Sequence, residues 1–217
     1  VSNAGVVATD VTAVGTGRRY LAACSYGDDK GIFGFGHDGS YVGMTNLVSN
    51  AGVVATDVSE VGTARGVLAA CEYGGDKGIF GFGWTGSSEV STTNLVSNSG
   101  VVATDTTGVG TARNALAACS YGVDKGIFGF GYDDDVYVSM TNLVSNAGVV
   151  ATDVTGVGTA RQNLAATQYG YDKGIFGFGY TDSTVGMTNL VSNAGVVATD
   201  VTAVGTARRG LAACSFN

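Results

Sequence analysis

An all-β fold assembled from internal repeats is what this sequence predicts, and three observations predict it. The segment Val-Ser-Asn-Ala/Ser-Gly-Val-Val starts at Val1, Val48, Val96, Val144 and Val191, at spacings of 47, 48, 48 and 47 residues. Between the copies lie short apolar runs broken by Gly, Asp, Asn and Ser, with no stretch patterned as an amphipathic helix. The 217 residues include 36 glycines and no proline, which suits many tight turns and closely approaching strands but lacks the period that collagen requires.

A period of this length matches four-stranded propeller blades and is too long for leucine-rich or ankyrin repeats. In the second repeat the predicted strands are residues 67–73, 77–82, 92–96 and 101–105, the first two joined through Gly74-Gly75-Asp76. The small residues of Leu68-Ala69-Ala70-Cys71 suit a crowded inner edge where neighbouring sheets converge, and Ile79 and Phe80 would pack between neighbours. The Val-Val-Ala-Thr-Asp and Leu-Ala-Ala segments occur five times, whereas Ile-Phe-Gly-Phe and the strand before Val-Ser-Asn occur four times. Residues 1–217 therefore read as a single repeat domain: a five-bladed β-propeller of about 47–48 residues per blade, with an incomplete or shared closing blade. An open β-solenoid stacking the same repeats in a line is the alternative.

Charge and composition exclude several classes. The net charge of −7 and an isoelectric point near 4.4 oppose a phosphate-binding surface, so nucleic acid is not an expected partner. No apolar run approaches the roughly 20 residues that span a bilayer, so no membrane insertion is expected. Val1-Ser2-Asn3 carries no signal-peptide pattern, and the sequence assigns no compartment. Cys24, Cys71, Cys119 and Cys214 occupy one repeat position, with Thr167 in the remaining copy. They read as small buried hydrophobes, since equivalent positions on separate repeats point apart and no C-x-x-C metal spacing occurs.

Charged residues recur in register. Arg18, Arg65, Arg113, Arg161 and Arg208 repeat, as do Asp10, Asp57, Asp105, Asp153 and Asp200. A guanidinium can fork onto an Asp or onto carbonyls between repeats, which gives these residues a fold-wide role. The alternative is a ring of Arg that binds an anionic ligand. Asp29-Lys30, Asp76-Lys77, Asp124-Lys125 and Asp172-Lys173 read as turn-and-edge pairs of the first hairpin.

An Arg, a small-apolar strand, a short turn and then Lys77-Gly78-Ile79-Phe80-Gly81-Phe82-Gly83, followed by a variable loop and two more strands, resembles the kelch repeat. The resemblance covers every repeat and implies a propeller. Gly-Phe-Gly stands where the family has adjacent glycines, and the late Trp is missing. The wording of the repeats also resembles highly repetitive phage and bacterial proteins, which implies a virion or surface role.

The strands are nearly copied, so the variable positions carry what functional signal there is. The loop after the second strand reads His37-Asp38-Gly39-Ser40-Tyr41, Trp84-Thr85-Gly86-Ser87-Ser88-Glu89, Tyr132-Asp133-Asp134-Asp135-Val136-Tyr137 and Tyr180-Thr181-Asp182-Ser183. The residues after each Arg vary as well, and a meander brings both sets to one rim. An aromatic ring beside carboxylates and hydroxyls suits a sugar, so the expected ligand-binding residues are His37, Asp38, Tyr41, Trp84, Glu89, Tyr132, Asp133, Tyr180 and Asp182. Drift in exposed loops is the competing explanation. His37 is the only histidine and lacks a matched nucleophile, so neither a catalytic constellation, a cofactor nor a metal is expected, and Asp133-Asp134-Asp135 reads as a solvated acidic tip. The expectation is a non-enzymatic binding or structural module that presents variable loops to a protein or glycan. A lectin and a structural spacer that self-associates through terminal half-repeats are the alternatives.

Overall fold

The computed structural model describes residues 6–215, so the first Val-Ser-Asn copy at Val1 begins outside the described residues. No helix is present among them, and hence none long and apolar enough to cross a membrane. The strands are β1 (Ala22–Tyr26), β2 (Lys30–Gly34), β3 (Thr45–Val48), β4 (Ala69–Tyr73), β5 (Lys77–Gly81), β6 (Thr93–Val96), β7 (Ala117–Tyr121), β8 (Lys125–Asp133), β9 (Val136–Val144), β10 (Ala165–Tyr169), β11 (Lys173–Tyr180) and β12 (Thr184–Val191). They form four antiparallel sheets of three strands each, one per repeat, and the sheets do not join into a closed barrel. Register is copied along with sequence. Ala69 faces Gly81 and Tyr73 faces Lys77, and the same pairs recur as Ala117 with Gly129 and Tyr121 with Lys125.

The sheets have three strands where the sequence predicts four. Residues 101–105 run beside β6 but touch it through isolated bridges at Val96–Val102 and Thr93–Thr106. Between those bridges four steps on one side oppose three on the other, so the ladder cannot continue in register. The Asn94 carboxamide enters this bulge and donates from Nδ2 to the Ala103 carbonyl at 3.0 Å, doing with a side chain what a ladder would do with backbone. The third and fourth repeats repeat the arrangement with Asn142 to Ala151 and Asn189 to Ala198, both at 3.0 Å.

The other strand limits also move for local reasons. The first strand of the second repeat begins at Ala69, not at position 67, because Val67 has φ 54°. Its N–H donates instead to the Tyr20 carbonyl of the preceding repeat at 2.9 Å. Ala115 donates to Val67, Asn163 to Ala115 and Gly210 to Asn163 at the same distance, a belt of backbone bonds linking successive repeats. The ladder breaks after Gly81, where Phe82 adopts φ 63° and Gly83 φ 114°; β5 ends there, while β8 and β11 continue past the same turn through a register shift. A left-handed Phe costs about 1–2 kcal/mol. The turn is kept in all four repeats, with Phe35, Phe130 and Phe178 at 62–63°.

Packing between sheets explains the glycines. The first strands adjoin in succession, β1 beside β4, β4 beside β7 and β7 beside β10. Phe80 is fully buried and meets Phe35 of the preceding sheet edge-on at 5.2 Å; Phe82–Phe128 and Phe130–Phe176 repeat the contact at the same spacing. A Cβ on Gly34 would lie 2.6 Å from the Phe80 ring, so the residue under each ring is Gly. Three of the four thiols, those of Cys24, Cys71 and Cys119, are packed in the same way, whereas Cys214, also expected to be buried, is exposed because no further sheet among the described residues covers it. A Cβ on Gly78 would stand 2.5 Å from Cys24 Sγ, and one on Gly126 2.6 Å from Cys71 Sγ. All four cysteines are free thiols; burial pushes the Cys119 pKa up to about 12.

Candidate ligand-binding rim

Each sheet carries the same buried bracket behind the variable loops. In the second repeat Arg65, 0% exposed, donates from Nε to the Phe82 carbonyl at 2.8 Å, from Nη1 to the Thr63 carbonyl at 3.0 Å and from Nη2 to Asn94 Oδ1 at 2.6 Å. Its guanidinium lies over the Phe35 ring of the preceding sheet at 4.2 Å. Asn94 Nδ2 donates onward to Asp105 Oδ1 at 2.9 Å, while Thr63 donates to Asp105 Oδ2 from both N and Oγ1. Burial works against the Asp105 charge, but the Thr63 and Asn94 hydrogen bonds, with Arg65 nearby, hold its carboxyl below the ordinary value. Burial also pushes the Arg65, Arg113 and Arg161 guanidinium pKa values down to about 10.

This bracket decides between the two expectations for the repeated arginines. Arg65, Arg113 and Arg161 are 0% exposed, so they cannot form a ring open to an anionic ligand. They fork onto carbonyls and Asn; the Asp stands farther off, at 3.8–3.9 Å. Asn46, Asn94, Asn142 and Asn189 are the partners that sequence reading missed, although their recurrence before each Leu-Val was visible.

The bracket fixes the backbone on both sides of the rim. Gly66 and Trp84 exchange backbone bonds at 2.9 Å, and Trp84 bridges Glu89 across its loop. Arg19–His37, Asn114–Tyr132 and Gln162–Tyr180 are the equivalent bridges. The residue after each Arg and the aromatic that opens each loop are therefore neighbours on one rim.

What closes the loop sets the shape of each junction. Between the first and second sheets Tyr41 packs over Gly66 and Gly86, where added Cβ atoms would stand 3.0 Å from its ring. Between the third and fourth, Tyr137 lies edge-on to Tyr180 at 6.2 Å and donates from Oη to Asp182 at 3.2 Å. Between the second and third the corresponding residue is Glu89, whose carboxylate accepts from Asn114 Nδ2 at 3.0 Å. With no ring closing this junction, a cleft of about 440 Å³ opens there, lined by Val67, Trp84, Glu89, Asn114, Tyr132, Asp134, Asp135 and Gln162.

Trp84, Glu89 and Tyr132 of the expected set are thus brought together. Asp133 does not line the cleft; its carboxyl is raised by burial and by the adjoining Asp134. Asp134 and Asp135 form the β8–β9 turn, with φ 40° and 67°, and Asp135 accepts from Tyr132 Oη at 2.9 Å. His37 and Asp38 border a separate cleft of about 410 Å³ with Gly17, Arg18, Arg19 and Gly39, and Tyr41 lies edge-on to His37 at 4.8 Å. Tyr180 lies beneath the Arg209 guanidinium at 4.1 Å, and Asp182 accepts from Tyr137. Asn114 and Gln162 were visible in sequence as variable residues after an Arg, but only the structure shows that Asn114 pairs with Tyr132, that Gln162 pairs with Tyr180 and that both line the cleft. Among the described residues no group of three or more His, Cys, Asp or Glu is placed to hold a metal ion. No family model matches the chain, and no curated protein does.

Proposed function

We propose that the chain is a non-enzymatic binding module of kelch-like β-propeller architecture that takes a sugar unit of a glycan in the cleft between Trp84 and Tyr132. The propeller reading is supported by one cavity bordered by Cys24, Cys71, Cys119, Thr167 and Ser215, since repeats stacked in a line would not bring all five inner segments to one space. Two consecutive residues with positive φ, Phe82 and Gly83, also stand where the kelch family has its glycine pair.

A single observation carries the ligand reading. Two aromatic rings, three carboxylates and two carboxamides border one cleft that no ring closes. A flat apolar face stacks on the C–H face of a sugar ring while carboxylates and carboxamides bond its hydroxyls. Glu89, Asp134 and Asp135 make the lining acidic, which selects neutral or amino sugars over sulfated or uronic ones. Tyr41 and Tyr137 close the neighbouring junctions, so the reading is one site per chain and not one per repeat.

A glycan array probed with the intact chain and with Trp84→Ala tests this. The expected result is retention of a neutral or amino-sugar family by the parent and its loss in the variant. Binding confined to sulfated glycans, or unchanged in the variant, contradicts the reading. A structural spacer is the second reading, favoured by junctions that are near copies of one another. An array with no retained glycan supports it.

A further inference from the structure

At each internal junction the trailing face of one sheet is buried by the leading face of the next, and two faces break this pattern. Phe35, Phe82 and Phe130 are fully buried, but their counterpart Phe178 on the fourth sheet is half-buried, and Leu190 of β12, paired with Ile175, is 39% exposed. On the first sheet Phe33 is 39% exposed, whereas Phe80, Phe128 and Phe176 are at 0%. Arg208 lies over Phe178 at 4.1 Å, as Arg161 lies over Phe130 at 4.2 Å. Arg161 also donates Nε to the Phe178 carbonyl and Nη2 to Asn189; among the described residues the Arg208 guanidinium donates only from Nη1, to the Thr206 carbonyl at 3.4 Å. The bracket is half built.

We propose that the trailing face of the fourth sheet and the leading face of the first are the two walls of a docking groove, and that its occupant is a β-hairpin of the chain's own repeat sequence. That hairpin carries Lys-Gly-Ile-Phe-Gly-Phe on one strand and Thr-Asn-Leu-Val on the other. The internal junctions dictate the fit. The first Phe of the hairpin lies against Phe178 as Phe176 lies against Phe130, and the second lies against Phe33 as Phe35 lies against Phe80. Its Asn accepts from Arg208 Nη2 as Asn189 accepts from Arg161, and the carbonyl of its second Phe takes the Arg208 Nε. The first strands of both sheets, β1 and β10, border one cavity together with β4, β7 and Ser215, which arranges the first and fourth sheets around a common space. This groove is separate from the rim cleft, so either can fail without the other.

The probe is a synthetic peptide of residues 27–48, titrated into the full chain by calorimetry and followed by hydrogen exchange. The expected result is one peptide per chain, with exchange slowed at β2, β11, β12 and residues 208–215. Arg208→Ala in the chain, or Ser at both Phe positions of the peptide, should weaken binding by about tenfold or more, the loss of one charge-assisted bond or buried ring. A free hairpin is marginal in water, so a second arm fuses residues 28–47 after Asn217. Fusion should raise the thermal midpoint, and Arg208→Ala should lower it more in the fused chain than in the parent. Equal binding of the Ser peptide, or a fused chain whose midpoint is unchanged, overturns the proposal. So does a dimer by light scattering that the peptide does not dissociate, which would assign both faces to a second copy.

Discussion

Replacing Asn94 by Ala removes one carboxamide and breaks three hydrogen bonds, leaving a buried guanidinium nitrogen and a carbonyl without that partner. Arg65 Nη2 loses its acceptor at 2.6 Å, the Ala103 carbonyl loses its donor at 3.0 Å, and Asp105 loses one of its hydrogen bonds. Arg65 is 0% exposed, so water cannot take over from the lost acceptor. A hydrogen bond to a charged group contributes about 1.5–3 kcal/mol, and breaking a buried charged network costs about 3–5 kcal/mol. For a domain of this size each kcal/mol shifts the midpoint by about 2–4 °C, which places the expected loss at roughly 6–20 °C. Asn46→Ala should cost less, because Arg18 is only partly buried. Asn50→Ala, on an exposed bond to Asp29, should fall within about 1 kcal/mol. Urea and thermal unfolding of the three variants measure the gradient. An Asn94 variant that loses no more than the Asn50 variant would refute the bracket as the element that holds each repeat together.

Three further outcomes follow from the same packing and charges. Gly78→Ala should destabilise by about 1–3 kcal/mol, since its methyl would meet Cys24 Sγ, and Cys24→Gly in the same chain should recover part of the loss; denaturant midpoints that fail to recover contradict the close approach. Hydrogen bonds hold Asp57 and its counterparts Asp105, Asp153 and Asp200 below their ordinary values against the opposing effect of burial, which is the largest single cause in the latter three. Their stabilisation is therefore complete above the unfolded value of about 3.9 and is lost as pH falls through the lower folded value, so in a Glu72→Gln background urea midpoints should stay flat from about pH 7 to 5 and drop below about pH 4. Glu72 runs the other way: burial, then Asp28 and Asp76, raise its carboxyl. Its contribution is complete at acid pH and is lost as pH rises through the raised value, so Glu72→Gln should raise the midpoint at neutral pH and leave it unchanged in acid.

The repeats, the all-β class and the inter-sheet role of Phe80 were legible because period and side-chain size are properties of the sequence itself. The fourth strand was not. Val101-Val102-Ala103-Thr104-Asp105 has strand composition, but its ladder is interrupted by Asn94, a side chain donating to the Ala103 carbonyl nine residues away in sequence. Nor was the left-handed turn at Phe82 visible, since a bulky residue at positive φ runs against its local preference and is held by Arg65 bonding its carbonyl. The rim could be read from variation alone. Which junction opens could not, because it turns on whether Tyr41, Glu89 or Tyr137 closes a loop over the next repeat.

Trp84 is the only tryptophan in the chain and lines the candidate cleft, so its fluorescence reports directly on occupancy of that site. Titration with a panel of neutral, amino, acidic and sulfated saccharides is therefore the most direct test. Binding in the cleft predicts a saturable change in emission with a neutral or amino sugar, lost when Glu89 and Asn114 are both replaced by Ala. Emission that no saccharide in the panel alters would contradict a sugar-binding rim.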